Sequence, residues 1–528
     1  MNTSISSKEG PSFWLIAPVV AMAAFMEVLD ISIANVALQH IAGSLSAGQD
    51  EATWVLTSYL VANAIVLPIT GWLSSVVGRK RLFLTCIGLF GVASLLCGAA
   101  PTLGALVFFR ALQGLAGGGL QPIAQAILSD AAPPAKRGMA FAIYGIAVVF
   151  APAIGPTLGG WITDHYSWRW VFLINIPVSI ILMMVAGAMV RDPEYLNAQR
   201  EKRRQQGFRV DGIGFALLAL GLGALQIVLD RGQQDDWMAS PFILVMTLIS
   251  VISLVSFVIW ELGEKEPIVD IRLLGIRNFA ISFVLMFALG FVLLATTLLI
   301  PQFTQTLLGY TATAAGMVMS PGGLVVLLCM PIIGRLVSVM DARVMVAIGF
   351  AIGGLAMLHM TTLYTGVDEH TIVMYRIYQS IGLAFLFVPI NTISMGSVPA
   401  GPRIGNASAL VNLARNLGGS FGTSLVTALL VRRAQYHQSV LVSHLTPQDP
   451  VYQGALDQAG QLYAQQGMDP TQSTQAAIQT VGNALQQQAT MLAYLDNFKI
   501  LGLIFLSLIP LAFLLRRVRV SGHAAAAH

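Results

Sequence analysis

Glu27 and Asp30 stand three residues apart in an apolar run that begins near Phe13 and continues to Leu38. In a helix that spacing puts both carboxylates on one face. A charge inside a bilayer costs roughly 2.5–3.5 kcal/mol even on the mildest insertion scale. Placement among the outer headgroups would lower the cost, but several apolar residues follow Asp30 before Gln39 and His40. The pair therefore reads as a buried functional site, and the chemistry open to such carboxyls is the uptake and release of a proton. Arg110, about seven residues into a later apolar segment, stays ionised and needs a carboxylate or several polar groups facing it. Glu27 and Asp30 are candidates of the right type. Arg415 lies deeper in its segment, close to Asn412 and Asn416. Arg376 is near enough to the start of its segment to snorkel to the interface, with structural duty alone as the other reading. Asn35, Gln113 and Gln121 add polar side chains to a central network.

The elements that must carry these groups follow from composition. Hydrophobic residues make up 56% of the 528, charged residues 10%, and mean hydropathy is +0.74; about 25% charged is usual in soluble domains. An all-α polytopic membrane protein is predicted. Fourteen apolar segments reach spanning length, at about 13–38, 52–74, 82–100, 103–128, 138–161, 169–190, 211–229, 241–262, 278–300, 312–333, 344–363, 372–397, 404–431 and 496–515. Arg110, Arg376, Arg415 and Lys499 lie within segments; only Arg169, Arg231, Arg432 and Arg433 fall in the loops of one side, and the remaining Lys and Arg fall on the other. By the positive-inside rule both termini are cytoplasmic, in a multi-pass protein of the bacterial inner membrane.

Several function classes lose support. Cys86, Cys97 and Cys329 all sit in apolar runs, so neither a disulfide framework nor a metal site is expected. P-loop and dinucleotide fingerprints are missing, no cofactor is called for, and nothing points to nucleic acid. His359, near an outer segment end, reads as an interfacial polar residue. Met1 to Ser12 is short and polar and leads into a full span without a cleavage site, so no signal peptide is expected.

An internal repeat divides the chain. Leu67–Leu73 (LPITGWL) aligns with Met330–Leu336 (MPIIGRL), and Arg110-x-x-Gln113 recurs as Arg376-x-x-Gln379. Residues 1–190 and 278–528 are thus two related six-helix bundles; 191–210 is a basic linker and 211–277 carries two inserted spans with their connection. Duplicated bundles with substrate between them are a transporter architecture. Segment five holds Pro152, Gly155, Pro156, Gly159 and Gly160, a density that favours a kinked, close helix contact, with a weaker echo at Gly418–Gly422. Gly71, Gly78, Arg79 and Lys80 form a tight basic turn after segment two. Residues 432–495 form the one long outer loop, rich in Gln and Ala. Disorder is the default for such composition, with one or two polar helices over Gln472–Gln488 as the alternative.

On these motifs the chain resembles the fourteen-span drug–proton antiporter branch of the major facilitator superfamily. The resemblance rests on Leu29–Leu38, Gly71–Arg81, Arg110–Gly114 and Ala151–Gly160, with further matches at Trp54–Tyr59 and Trp168–Pro177. In the basic turn, Ser75 stands where the family has an acid. The long outer loop makes the chain most similar to EmrB-type exporters, which implies a periplasmic EmrA-type adaptor and a TolC-type outer-membrane channel as partners. The function implied is proton-driven export of lipophilic compounds, with Glu27, Asp30 and Arg110 coupling the proton. A metabolite symporter of the same fold, or a membrane receptor or enzyme, is the alternative. Segment five argues against the symporter, and no catalytic constellation beyond the two acids supports an enzyme.

Overall fold

The computed structural model describes residues 13–516 apart from 198–200, 202–210, 400, 402, 444 and 447. Most of the expected basic linker at 191–210 and residues 1–12 and 517–528 lie outside the described residues. The long helices are α1 (Phe13–Ser44), α2 (Trp54–Val77), α3 (Arg79–Ala99), α4 (Leu103–Ala131), α5 (Arg137–His165), α6 (Trp170–Met189), α7 (Gly212–Arg231), α8 (Pro241–Gly263), α9 (Arg277–Leu308), α10 (Ala312–Leu336), α11 (Ala342–His359), α12 (Glu369–Ser397), α13 (Arg403–Ser443), α14 (Pro450–Gln465) and α15 (Pro470–Ser507). Their starts carry expected caps. The side chains of Thr102, Asp211, Thr311, Asp341, Asp368 and Asp469 each accept a hydrogen bond from a backbone N–H of the first turn, satisfying donors that a helix start leaves open.

Thirteen of the described helices are long and apolar enough to cross a membrane by length and composition. The fourteenth expected span, α13, falls short on hydropathy because Asn412, Arg415, Asn416 and several glycines and serines interrupt it. It is nevertheless packed between α9, α15, α2 and α4, where those polar side chains meet partners instead of lipid.

The repeat is visible in the packing. α1 packs on α5 as α9 packs on α13; α2 on α4 as α10 on α12; α3 on α4 as α11 on α12. Across the halves, α5 packs on α10 and α2 on α13, the reciprocal contacts a two-fold relation requires. The inserted pair α7–α8 packs on itself, and α7 also touches α2 and α13.

In the outer loop the default of disorder is corrected, and the helical alternative at Gln472–Gln488 is the one the structure takes. Residues 432–443 prolong α13, 470–495 prolong the last span as the start of α15, and α14 lies against α15. Helices already anchored in the bundle have met their nucleation cost, and Gln and Ala are good helix formers, so propagation outward is inexpensive. Polar clamps hold the projection together: Arg433 Nε donates to Asp496 Oδ2 at 2.6 Å, His437 Nε2 lies 2.7 Å from the same oxygen, and the Tyr463 and Thr480 hydroxyls are 2.8 Å apart.

Candidate functional site: two acids, one arginine and a central cavity

α1 carries Glu27 and Asp30 on the face turned toward α4, both almost fully buried. The structure divides them. Arg110 Nη1 donates to Asp30 Oδ2 at 2.5 Å, while Asp30 Oδ1 accepts from Gln113 Nε2 at 3.0 Å and from Asn175 Nδ2 at 2.7 Å. Arg110 is fixed further by Gln113 Oε1 at 2.8 Å, by the Val55 carbonyl at 3.2 Å and by the Tyr59 ring 4.3 Å below its guanidinium. Both Asp30 oxygens and the Nε and Nη1 of Arg110 are thus hydrogen-bonded, which offsets the cost of burying the pair, while Arg110 Nη2 keeps no hydrogen-bond partner. Of the two acids the sequence offered to Arg110, Asp30 is the one it meets.

Glu27, one turn away, has a thinner shell. Its Oε1 accepts from Asn63 Nδ2 at 2.9 Å, and its Oε2 has no hydrogen-bond partner. This carboxyl can accept a proton without giving up an ion pair; Asp30 cannot.

A cavity of about 440 Å³ opens between the halves, lined by α1, α2, α4, α5, α7, α9 and α13. Asn35, Gln121, Pro152 and Arg415 reach it, and so does Asn63, the partner of Glu27. Arg415 donates to Gln121, joining the halves, and to Asn416 Oδ1 at 3.3 Å. The cavity runs outward to Thr53, Gln233, Gln234 and Thr427, away from the basic end of the bundle.

Toward the basic end the halves are sealed. Gln125 donates to Asn391, and its Oε1 accepts from Ser408 Oγ at 2.9 Å and Asn412 Nδ2 at 2.6 Å. Tyr144 Oη donates to Asn412 Oδ1 at 3.2 Å. Gly71 lies against the Asn406 backbone so closely that a Cβ would collide with it. Asn412 therefore belongs to the seal, and Gln113 to the Asp30 cluster, rather than to the cavity wall. Sequence reasoning passed over Gln125, whose type and spacing carry no signal without the partner helix.

The segment-five motif packs on both sides: Gly155 and Gly159 meet α1 of their own half, while Ala153 and Thr157 meet Gly323 and Gly316 of α10 across the interface. A Cβ on Gly155 would meet the Ser32 hydroxyl, and one on Gly159 would come within 3.1 Å of Ile33; Pro152 supplies the carbonyl that accepts from Ser32 Oγ at 3.5 Å. Pro156 lies inside the same continuous helix, and the Gly160 carbonyl accepts from Thr163 Oγ1 at 3.0 Å. The echo on α13 is tighter: Gly418 and Gly422 sit on the carbonyls of Phe287 and Phe291 of α9.

In the basic turn, Gly78 adopts φ +94°, a conformation open to glycine at little cost. Arg79 is buried and pairs with Asp130, which also accepts from Tyr195 Oη at 2.9 Å. Burial pushes the Tyr195 phenol pKa up, which keeps it a donor. Lys80 contributes its backbone N–H, which donates to Asp192 Oδ1 at 2.8 Å. Asp130 thus supplies the acid that Ser75 does not, a partner the sequence hid because it lies on another helix. Snorkelling of Arg376 is also corrected: the side chain is buried and donates to Gln379, because α10 and α9 cover its helix on both sides.

A sequence profile of the Major Facilitator Superfamily matches residues 20–423. The chain is 37% identical over 469 residues to the multidrug export protein EmrB of Haemophilus influenzae, covering 88% of this chain and 89% of that one. It is 37% identical over 496 residues to the fatty acid resistance protein FarB of Neisseria gonorrhoeae, with 94% of each chain covered. It is 36% identical over 507 residues to the multidrug export protein EmrB of Escherichia coli, with 96% of each covered. Among solved structures, the fold is similar to the human organic anion transporter MFSD10 (TM-score 0.57, 13% identity, 94% of this chain and 100% of that one) and to the proton:xylose symporter XylE (TM-score 0.56, 14% identity, 94% and 96%).

Proposed function

Because the chain belongs to the major facilitator superfamily, we propose that it is a multidrug exporter driven by the proton gradient, moving lipophilic and amphiphilic compounds from the cytoplasm or inner leaflet outward. Relatives of matching length named for multidrug export support the activity. The observation that carries the proton coupling is the half-satisfied Glu27, tied through Asn63 to the cavity wall.

In this reading the basic end is cytoplasmic, the protein sits in the bacterial inner membrane, and both termini face the cytoplasm. The cavity then opens to the periplasm, from which a proton reaches Glu27 past Asn63. The Asp30–Arg110 pair ties α1 to α4 and holds Glu27 at a fixed depth. Opening of the cytoplasmic seal at Gln125, Asn391, Ser408 and Asn412 exposes Glu27 to the other side, where the proton leaves. The gradient supplies ~2.3 kcal/mol per proton per 100 mV and ~1.4 kcal/mol per pH unit. The largely apolar wall suits recognition by burial, and Arg415 offers a charge to acidic amphiphiles, in keeping with the relative named for fatty acid resistance.

The helical projection is the part we assign to a partner. α13, at 41 residues, is about 60 Å long, roughly twice the hydrocarbon thickness. With α14 and α15 it reaches far beyond the bundle, a shape suited to an EmrA-type periplasmic adaptor leading to a TolC-type channel. The test of transport is efflux of a fluorescent lipophilic substrate from proteoliposomes with and without an imposed pH gradient. Wild type should pump only with the gradient, and Glu27→Gln should not respond to it. A wild-type rate indifferent to the gradient sinks the reading.

A further inference from the structure

The inserted pair has no counterpart in the repeat, yet α7 forms one wall of the cavity through Gln226, Leu229 and Asp230, and the turn that follows it adds Gln233 and Gln234. It bridges both halves there. Ser420 Oγ of α13 donates to Gln226 Oε1 at 3.0 Å, and Thr57 Oγ1 of α2 donates to Asp230 Oδ2.

Among the described residues lining the cavity, Asp230 is the one carboxylate and Arg415 the one cation. Asp230 is exposed to the space it faces. The neighbouring Arg231 is committed elsewhere: its Nε and Nη2 donate to Asp235 at 3.0 and 3.2 Å, its Nη1 to Thr53 Oγ1 at 3.1 Å, and its guanidinium lies 5.0 Å from the Trp54 ring. The carboxylate is held in place by Thr57 and left without a full counter-charge. Beside it the wall is apolar, built from Leu56, Leu60, Leu229, Leu294 and Leu298.

We propose that Asp230 is a binding subsite for the charged head of a lipophilic organic cation, brought to the cavity by the inserted helix. A bulky cation is weakly hydrated and so loses little on leaving water, gains the carboxylate, and lays its apolar groups against the leucines. An acidic amphiphile is repelled at Asp230 and finds Arg415 instead, so the two poles sort substrates by charge. Asp230 acts here on substrate selection, separately from proton coupling at Glu27. The inference rests on the cavity being the transport route.

The test uses the full chain in proteoliposomes under one fixed pH gradient, with tetraphenylphosphonium as the cationic probe and Nile red as the neutral one. Wild type should transport both. Asp230→Asn keeps an acceptor for Thr57 and removes the charge. It should lower kcat/KM for tetraphenylphosphonium relative to Nile red by about tenfold or more, through KM. Asp230→Glu should restore most of that ratio. Thr57→Val keeps the charge and releases the carboxylate from its clamp, so it should lower the same ratio, by less than Asp230→Asn does. Equal losses for both probes in Asp230→Asn, or no recovery of the ratio in Asp230→Glu, overturn the inference. Wild type that moves Nile red but not tetraphenylphosphonium overturns this subsite alone; wild type that moves neither overturns the transport reading with it.

Discussion

In the first half Gln113 reaches back 83 residues to Asp30, and in the second Gln379 reaches back the same distance to Thr296. Each glutamine also accepts from an arginine three residues earlier, Arg110 or Arg376, and both arginines are buried. Each arginine keeps one nitrogen without a hydrogen-bond partner, Nη2 of Arg110 and Nε of Arg376, but the first meets a carboxylate and the second only Gln379. The step in sequence that takes Arg110 to Arg376 also takes Glu27 to Leu293. Both acids are therefore missing from the second copy while its hydrogen-bonding frame persists. The duplicated bundle needs the frame twice to build two matching walls, whereas the coupling proposed above needs its acids once.

The largest effect should come from breaking the paired arginine. Arg110→Met leaves Asp30 buried and uncompensated, at about 3–5 kcal/mol, and should lower the thermal midpoint in detergent sharply and end transport. Arg376→Met removes a cation that meets no carboxylate among the described residues, so its midpoint should equal or exceed that of wild type. Equal losses in the two variants would erase the distinction between the halves.

Next is Glu27→Gln, which keeps an acceptor for Asn63. It should retain a near wild-type thermal midpoint and lose gradient-driven efflux completely, whereas Asp30→Asn should lose both. Full pumping by Glu27→Gln would move the proton site elsewhere in the first half.

The glycine contacts allow a milder comparison. At Gly418 a Cβ meets the Phe287 carbonyl, which cannot rotate away, while at Gly155 it meets the side chain of Ser32, hydroxyl and Cβ together. Gly418→Ala should cost about 1–3 kcal/mol, and Gly155→Ala should recover when combined with Ser32→Gly, which removes both the hydroxyl and the Cβ it would strike. Thermal midpoints of the single and double variants decide it; failure of the rescue would place the clash on the backbone in both halves. The smallest effect is expected at Thr296→Val. There Gln379 loses its acceptor for about 1 kcal/mol, and transport should continue. A loss of coupling in that variant would give the second half a share in the proton site.

Composition and pattern alone determined the membrane fold, the repeat and the acids of α1, because bilayer burial imposes its cost segment by segment and a charge inside an apolar run is conspicuous without any partner. The resemblance carried by the motif residues agreed with the family match. In the outer loop polarity alone favours disorder, and the two anchored helices that propagate through it decide otherwise. What only the tertiary structure decided is which charge meets which. Asp30 takes Arg110 and leaves Glu27 half-satisfied, Asp130 supplies the acid missing at Ser75, Gln125 seals the halves, and Asp230 brings the inserted helix to the cavity. Those pairings join helices far apart in the chain, and hydrogen bonds and ion pairs act over a few ångströms, so neither sequence spacing nor hydropathy can encode them.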